Sequence, residues 1–252
     1  MEIAGFSIGV LGLAGLFSNA VDCFEYIQLG KSFGTDFGIY QLQLDNARLR
    51  LTRWGKFVIV EEDGGNFPPV ERDQAKKTME GIITLFLKAG ETSNKFNKNT
   101  GSETQPAVYD PDADLESPVL ALHRHMRALA LSRQKETSLL RKTKWALYER
   151  KRFTELLESI RTLLDDLEKI QPARHEAQRS LCDEEVSRMG PNADLPLLES
   201  VAAEQDPSLL EAVKRAISER EARLPSVVFS GPGNRGFQLG NNAGTITGFT
   251  FG

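Results

Sequence analysis

An apolar rhythm of alternating three- and four-residue steps, restarted after each proline or glycine break, most constrains what this chain can fold into. Ile3, Phe6, Val10, Leu13, Phe17, Ala20, Phe24 and Ile27 follow it first. Phe37, Tyr40, Leu44, Ala47, Leu51, Trp54 and Val58 follow it next, with Asp45, Arg48, Arg50 and Arg53 interleaved. Residues so spaced share one face only on an α-helix. The second run predicts a long amphipathic helix ending near Glu61, stopped by Asp63-Gly64-Gly65-Asn66-Phe67-Pro68-Pro69. A third helix is expected from Val70 to Phe96, then a polar loop from Asn97 to Glu116. Beyond Pro118, with Ser117 as N-cap, helices are expected over Leu120–Gln134, Thr137–Tyr148 and Phe153–Ile170. Others follow from Pro172 toward Met189, over Pro196–Ala203 and over Pro207–Arg223. The body is expected to be all-α, a bundle of eight or so helices without strands.

The first run has a second property. From Ile3 to Val21 there is no charged residue. An uncharged helix of that length, at about 1.5 Å per residue, approaches the ~30 Å that spans a bilayer. The chain opens Met1-Glu2 with no basic region, so a secretory signal is not expected. Gly5, Gly9 and Gly12 form a small-residue stripe that permits close helix packing in water or lipid. These glycines cost roughly 1 kcal/mol each relative to alanine, so the helix depends on its surroundings. A buried core helix at rest that exchanges one apolar environment for another is the expectation here. Ile3, Phe6, Val10, Leu13 and Phe17 would carry the insertion.

The last stretch, 224–252, differs from all of this. It carries one charge, Arg235, amid Gly, Asn, Thr, Ser and apolar residues. Gly236-Phe237-Gln238-Leu239-Gly240 and Gly248-Phe249-Thr250-Phe251-Gly252 alternate apolar and polar residues between glycines, the strand period. Between them, Asn241, Asn242 and Gly244 signal a turn and Thr245-Ile246-Thr247 is a β-branched run. Strands so short build no core alone. Stacked in register from many chains, they would pair every backbone group. Gln238, Asn241 and Asn242 would form amide ladders, and Phe237, Leu239, Phe249 and Phe251 a dry seam. Self-assembly through this tail is therefore expected over a passive linker. Gly231-Pro232-Gly233-Asn234-Arg235-Gly236 spells a dinucleotide fingerprint, but no strand-to-helix turn surrounds it, and nucleotide binding is rejected.

Chemistry is sparse. The formal net charge is −4, or −5 for the body once Arg235 is set aside with the tail, and gives no electrostatic case for nucleic acid. Cys23 and Cys182 make no disulfide framework, which suits a reducing cytosol. Cys23 reads as a small buried hydrophobe. His123 and His125 point to different faces of a helix and make a poor metal pair. Asp165-Asp166 and Glu184-Glu185 read as solvated helix positions rather than acid–base pairs. No catalysis, metal or cofactor is expected.

The run Ala14-Gly15-Leu16-Phe17-Ser18-Asn19-Ala20-Val21-Asp22-Cys23-Phe24-Glu25-Tyr26-Ile27-Gln28-Leu29-Gly30-Lys31 resembles the N-terminus of fungal HeLo domains, in the HET-S/LopB-like prion-inhibition and propagation family. Arg50-Leu51-Thr52-Arg53-Trp54-Gly55, Arg133-Gln134-Lys135-Glu136-Thr137-Ser138 and Lys144-Trp145-Ala146-Leu147-Tyr148 resemble further signatures of it. The tail is similar to the short sigma-type amyloid motif of that group. The resemblance implies a HeLo-type bundle over 1–223, with 1–29 as the membrane-inserting segment and 224–252 as the amyloid-forming motif. It implies a cell-death executor in heterokaryon incompatibility or innate immunity, cytoplasmic at rest and at the plasma membrane once active. Its partners would be copies of its own tail, an NLR-like receptor with a matching motif, and membrane lipids. Asp22 would match an acidic position important for toxicity, and Ser32 one where toxic and inert members differ. A non-enzymatic helical adaptor or inert prion partner, whose tail assembles without membrane insertion, is the alternative.

Overall fold

The structure is a computed structural model that describes residues 12–63, 67–99, 107–134, 144–170 and 175–223. Among these, α1 (Leu13–Tyr26) runs into a short strand, β1 (Ile27–Leu29), and a 3-10 turn over Lys31–Asp36. Then come α2 (Phe37–Asp63), α3 (Pro69–Asn99), α4 (Pro111–Asp114) and α5 (Ser117–Ser132). A second strand, β2 (Trp145–Leu147), precedes α6 (Arg150–Ile170), α7 (His175–Arg188), α8 (Leu195–Gln205) and α9 (Pro207–Arg223).

The helix punctuation is local chemistry. Asp194 accepts a hydrogen bond from Leu197 N at 3.0 Å and opens α8, and Asp206 accepts from Leu209 N at 3.1 Å and opens α9. Each is followed within two residues by a proline, whose fixed φ suits a first turn. Gly190, at φ +80°, stops α7 in the left-handed conformation that glycine adopts freely. One expected cap is corrected: α5 begins at Ser117 itself, with Glu116 at the cap position and no side-chain cap bond. The expected loop before it also contains α4, capped by Asp110 on Asp112 N at 3.1 Å.

α2 is the axis of the molecule, 27 residues long, packed against α1, α5, α6, α7 and α8. It stands between two cores. Leu44, Ala47, Leu51 and Trp54 join the larger one, with α1, α3 and α6. Leu42 and Leu49 join the smaller one, with α5, α7, α8 and α9. The long helix expected here is present, but its charged residues do not face water. Asp45, Arg48, Arg50 and Arg53 are all buried, because a second layer of helices covers the side they occupy.

The expectation of a strand-free body is also corrected. β1 and β2 pair in parallel, Ile27 with Trp145, Gln28 with Ala146 and Leu29 with Leu147. The segment Trp145–Leu147 was expected to be helical. On its other side the end of β1 meets the 107–109 segment, through Tyr109 N to Leu29 O at 2.8 Å and Lys31 N to Ala107 O at 2.9 Å. The end of β1, at Leu29, is thus held by backbone on both flanks, and Ser93 Oγ donates to Ala146 O to close β2 onto α3.

Candidate functional site

α1 lies in a groove of α2 and α3, and its apolar face is wholly enclosed. Leu13, Leu16, Phe17, Ala20 and Val21 are 0% exposed, and Cys23 and Phe24 are buried beside them. Phe24 meets Phe86 of α3 edge-on, with ring centroids 4.8 Å apart. Phe17 enters a notch made by Gly55 of α2, where an added Cβ would lie 2.1 Å from Phe17 Cε2. Each fully buried large apolar side chain contributes roughly 1.5–3 kcal/mol. Exposing this face to water would therefore cost on the order of 10 kcal/mol. Only another apolar medium could offset that cost.

Its charged end is held differently. α1 carries Asp22 and Glu25 near its C-terminus, where the helix dipole disfavours anions, and has no basic residue in its last turn. Other elements supply the compensation. Arg127 of α5 grips Glu25 with two bonds of 2.9 Å, Nε to Oε1 and Nη2 to Oε2. Arg48 of α2 also donates to Glu25 Oε1. Gln134, just past α5, donates from Nε2 to Asp22 Oδ1 and to Ser18 O, the latter at 3.3 Å. Tyr26 OH adds a 3.4 Å bond to Asp22 Oδ2. α1 is a greasy helix with a polar clasp at its outgoing end.

The clasp titrates. Burial works against the charge on Glu25, but Arg127 and Arg48 overcome it and bring the carboxyl from 4.5 down to about 2. A depressed carboxylate stabilises the fold above its unfolded pKa and loses that contribution as pH falls through the folded one. For Glu25 that window lies between 4.5 and about 2. At pH 7 a shift of this size corresponds to on the order of 3 kcal/mol before solvent screening of the partly exposed carboxylate, and to less after it. Glu25→Gln is expected to unfold more easily than the native protein at pH 7, with the gap closing as pH falls from 5 to 2. Denaturant melts of both proteins across that range measure it; a gap independent of pH would show that the charge is not what holds α1.

Of the residues expected to enter a membrane, Leu13 and Phe17 lie in this groove and Asp22 in the clasp. Ile3, Phe6 and Val10 lie outside the described residues, as do the tail positions between 236 and 251. Among the described residues no helix is long and apolar enough to cross a membrane. Ser32 lies in the 3-10 turn and donates to Tyr148 O at 2.5 Å, next to β2. Cys23 is a thiol pushed up to about 12 by burial and then by the Asp22 charge, far from nucleophilic.

Sequence reasoning missed the buried ion pairs behind the groove. Glu185, expected on a solvated face, is fully buried. It takes Arg53 Nη2 at 2.6 Å and Nε at 3.1 Å, and Arg133 Nη1 at 2.6 Å. Arg53 Nη1 also reaches Asp206 Oδ2 at 2.9 Å. Burial opposes the Arg53 charge, but the Asp206 and Glu185 carboxylates raise its pKa well above the ordinary value. Arg50 donates to Glu168 at 2.7 and 2.6 Å, to Asp165 at 2.7 Å and to Gln205 O at 2.9 Å. Asp165 is thus a partner of Arg50, while its neighbour Asp166 faces Lys169 at 3.0 Å. His123, weighed as a metal ligand, lies with Nδ1 2.6 Å from Asp45 Oδ2. Burial opposes its charge, yet Asp45 raises its pKa. Among the described residues no group of side chains is arranged to hold a metal ion.

Fold and site together define a class: helical bundles, with one small strand pair, that keep the apolar helix α1 enclosed against a two-sided central helix. The chain belongs to the HeLo family, described as prion-inhibition and propagation, whose family model matches residues 5–198. Residues 225–248 match a second model, described as the SesB domain on fungal death-pathway protein. That match does not name the sigma-type motif expected from the sequence. The chain is similar to heterokaryon incompatibility protein S of Podospora anserina, 36% identical over 213 residues, covering 83% of this chain and 73% of that protein. It is likewise 36% identical over 220 residues to heterokaryon incompatibility protein s of Podospora anserina, covering 86% of this chain and 75% of that one. The solved HET-s N-terminal domain superposes with a TM-score of 0.77 at 34% identity, covering 84% of this chain and all of that one. A doubly substituted form of the same domain gives 0.75 at 34% identity, covering 82% and 99%.

Proposed function

We propose that this protein is a non-enzymatic executor of cell death in heterokaryon incompatibility, triggered by amyloid and acting on the membrane. In this reading the 224–252 tail takes up a cross-β form templated by a matching motif, either on further copies or on an NLR-like receptor. The bundle is then disturbed, the clasp on Asp22 and Glu25 opens, and α1 with the apolar residues before it passes into the lipid. The protein is cytoplasmic at rest and at the plasma membrane when active. The observation that carries this reading is the division of labour in α1. Its face is so apolar that only another apolar phase can replace the groove, yet its outgoing end is held by ionic and hydrogen bonds that a displacement can break. The fungal death-pathway description of the tail match and the names of the two relatives support it.

The test is dye release from liposomes by the full chain, with and without preformed fibrils of the Leu224–Gly252 peptide. Release is expected only in the seeded sample. Fibrils that recruit the protein without release would instead make it an adaptor or inert prion partner that keeps α1 in its core. A tail peptide that never forms fibrils or ignores seeds of its own sequence would remove the trigger altogether.

A further inference from the structure

We propose that a buried ionic relay couples the α8–α9 junction to the clasp on α1, so that the helix preceding the tail reports its position to the helix in the groove. The relay has five links. Asp206 caps α9 through Leu209 N at 3.1 Å and with its other oxygen takes Arg53 Nη1 at 2.9 Å. Arg53, on α2, spends its remaining donors on Glu185 of α7 at 2.6 and 3.1 Å. Glu185 Oε1 is shared with Arg133 Nη1 at 2.6 Å. Arg133 ends α5, its backbone N–H tied to Ala130 O at 3.2 Å. The next residue, Gln134, donates to Asp22 and to Ser18 O on α1.

Two properties make this a coupling device rather than a row of contacts. Arg53, Glu185, Asp206 and Arg133 are 2%, 0%, 1% and 6% exposed, so water cannot replace a lost partner. The group is two arginines and two carboxylates, balanced only while all four remain. If Asp206 withdraws, Arg53 keeps one carboxylate and must take more of Glu185, which leaves Arg133 short and frees the backbone that places Gln134. A fully satisfied buried network rigidifies what it joins, and an unpaired member of it is costly. α9 is 17 residues of continuous helix, about 25 Å long, with Asp206 at one end and the start of the tail at the other. A displacement of α9 therefore reaches Asp206 as a rigid movement. This inference deepens the functional reading above, but its test needs neither seeds nor membranes, so the two can fail separately.

Hydrogen exchange of the full-length resting protein tests it, comparing α1 amides with those of α6. Asp206→Asn is expected to speed exchange in α1 about tenfold more than in α6. In a Gln134→Ala background that selective effect should vanish, because the last link is already cut. Equal acceleration of α1 and α6, or a full α1-selective effect persisting in the Gln134→Ala background, would overturn the proposal. If Asp206→Asn does not fold, Arg133→Met serves, since Arg53 then keeps both its carboxylates. α1 should lose protection while α7 and α9 keep theirs; unchanged α1 protection would overturn the relay just as well.

Discussion

Arg53→Met lowers the stability of the body by about 3–5 kcal/mol, the largest loss expected from any single change to a charged residue here. Methionine fills most of the volume, so the cost is electrostatic. Glu185 and Asp206, 0% and 1% exposed, are left in the interior without the guanidinium that joins them. Arg50→Met makes the comparison. Arg50 is equally buried, but its partners Glu168 and Asp165 are 20% and 45% exposed and can turn to water. Its loss should therefore be smaller, about 1–2 kcal/mol. Urea melts of the two variants decide the matter. With total stabilities of typical domains at about 5–15 kcal/mol, Arg53→Met should shift the midpoint conspicuously. Equal losses for both would mean that burial of the carboxylate partners is not what sets the cost.

Gly55→Ala should destabilise by about 2 kcal/mol, although the same exchange inside an ordinary exposed helix gains up to ~1 kcal/mol. The added Cβ would lie 2.1 Å from Cε2 and 2.4 Å from Cζ of Phe17, so the ring has to leave its notch and α1 has to lift. Placing Gly55→Ala on a Phe17→Leu background reads the sign of the effect. With the ring gone, alanine should become neutral or favourable, and thermal melts of the four proteins in the cycle measure it. A loss unchanged by Phe17→Leu would mean that the glycine serves α2 rather than the groove.

The helical outline was open to reading because its punctuation is local. Prolines, glycines and short acids mark helix ends within one or two residues of the break, and α9 runs over the residues its pattern delimits. The enclosed face of α1 was equally plain, since Leu13, Phe17, Ala20 and Phe24 share one three-four stripe. Three things were hidden because their causes lie far along the chain. β1 and β2 have three residues each and pair across more than a hundred positions, and three residues show no period. Glu185 looks like half of a solvated glutamate pair, and only the arrival of Arg53 and Arg133 from other helices makes it a core residue. The arginines of α2 look like a wet face because periodicity reports the first core a helix meets and says nothing of a second layer beyond it. The groove was therefore legible on its apolar side, while the clasp and relay, made of pairings between distant elements, were not.

The strand pair at the end of α1 fixes more than register. Ile27–Leu29 is stitched to β2 on one flank, and Leu29 and Lys31 to the 107–109 segment on the other, so an α1 that left its groove would turn about Tyr26 and Ile27 as a lever on a fulcrum. Its 14 residues make an arm of about 21 Å. The arm can point away from the body but cannot travel from it, so the sheet bounds how far α1 itself can reach. Were α1 to open in this way, the sheet would be the part that stays behind.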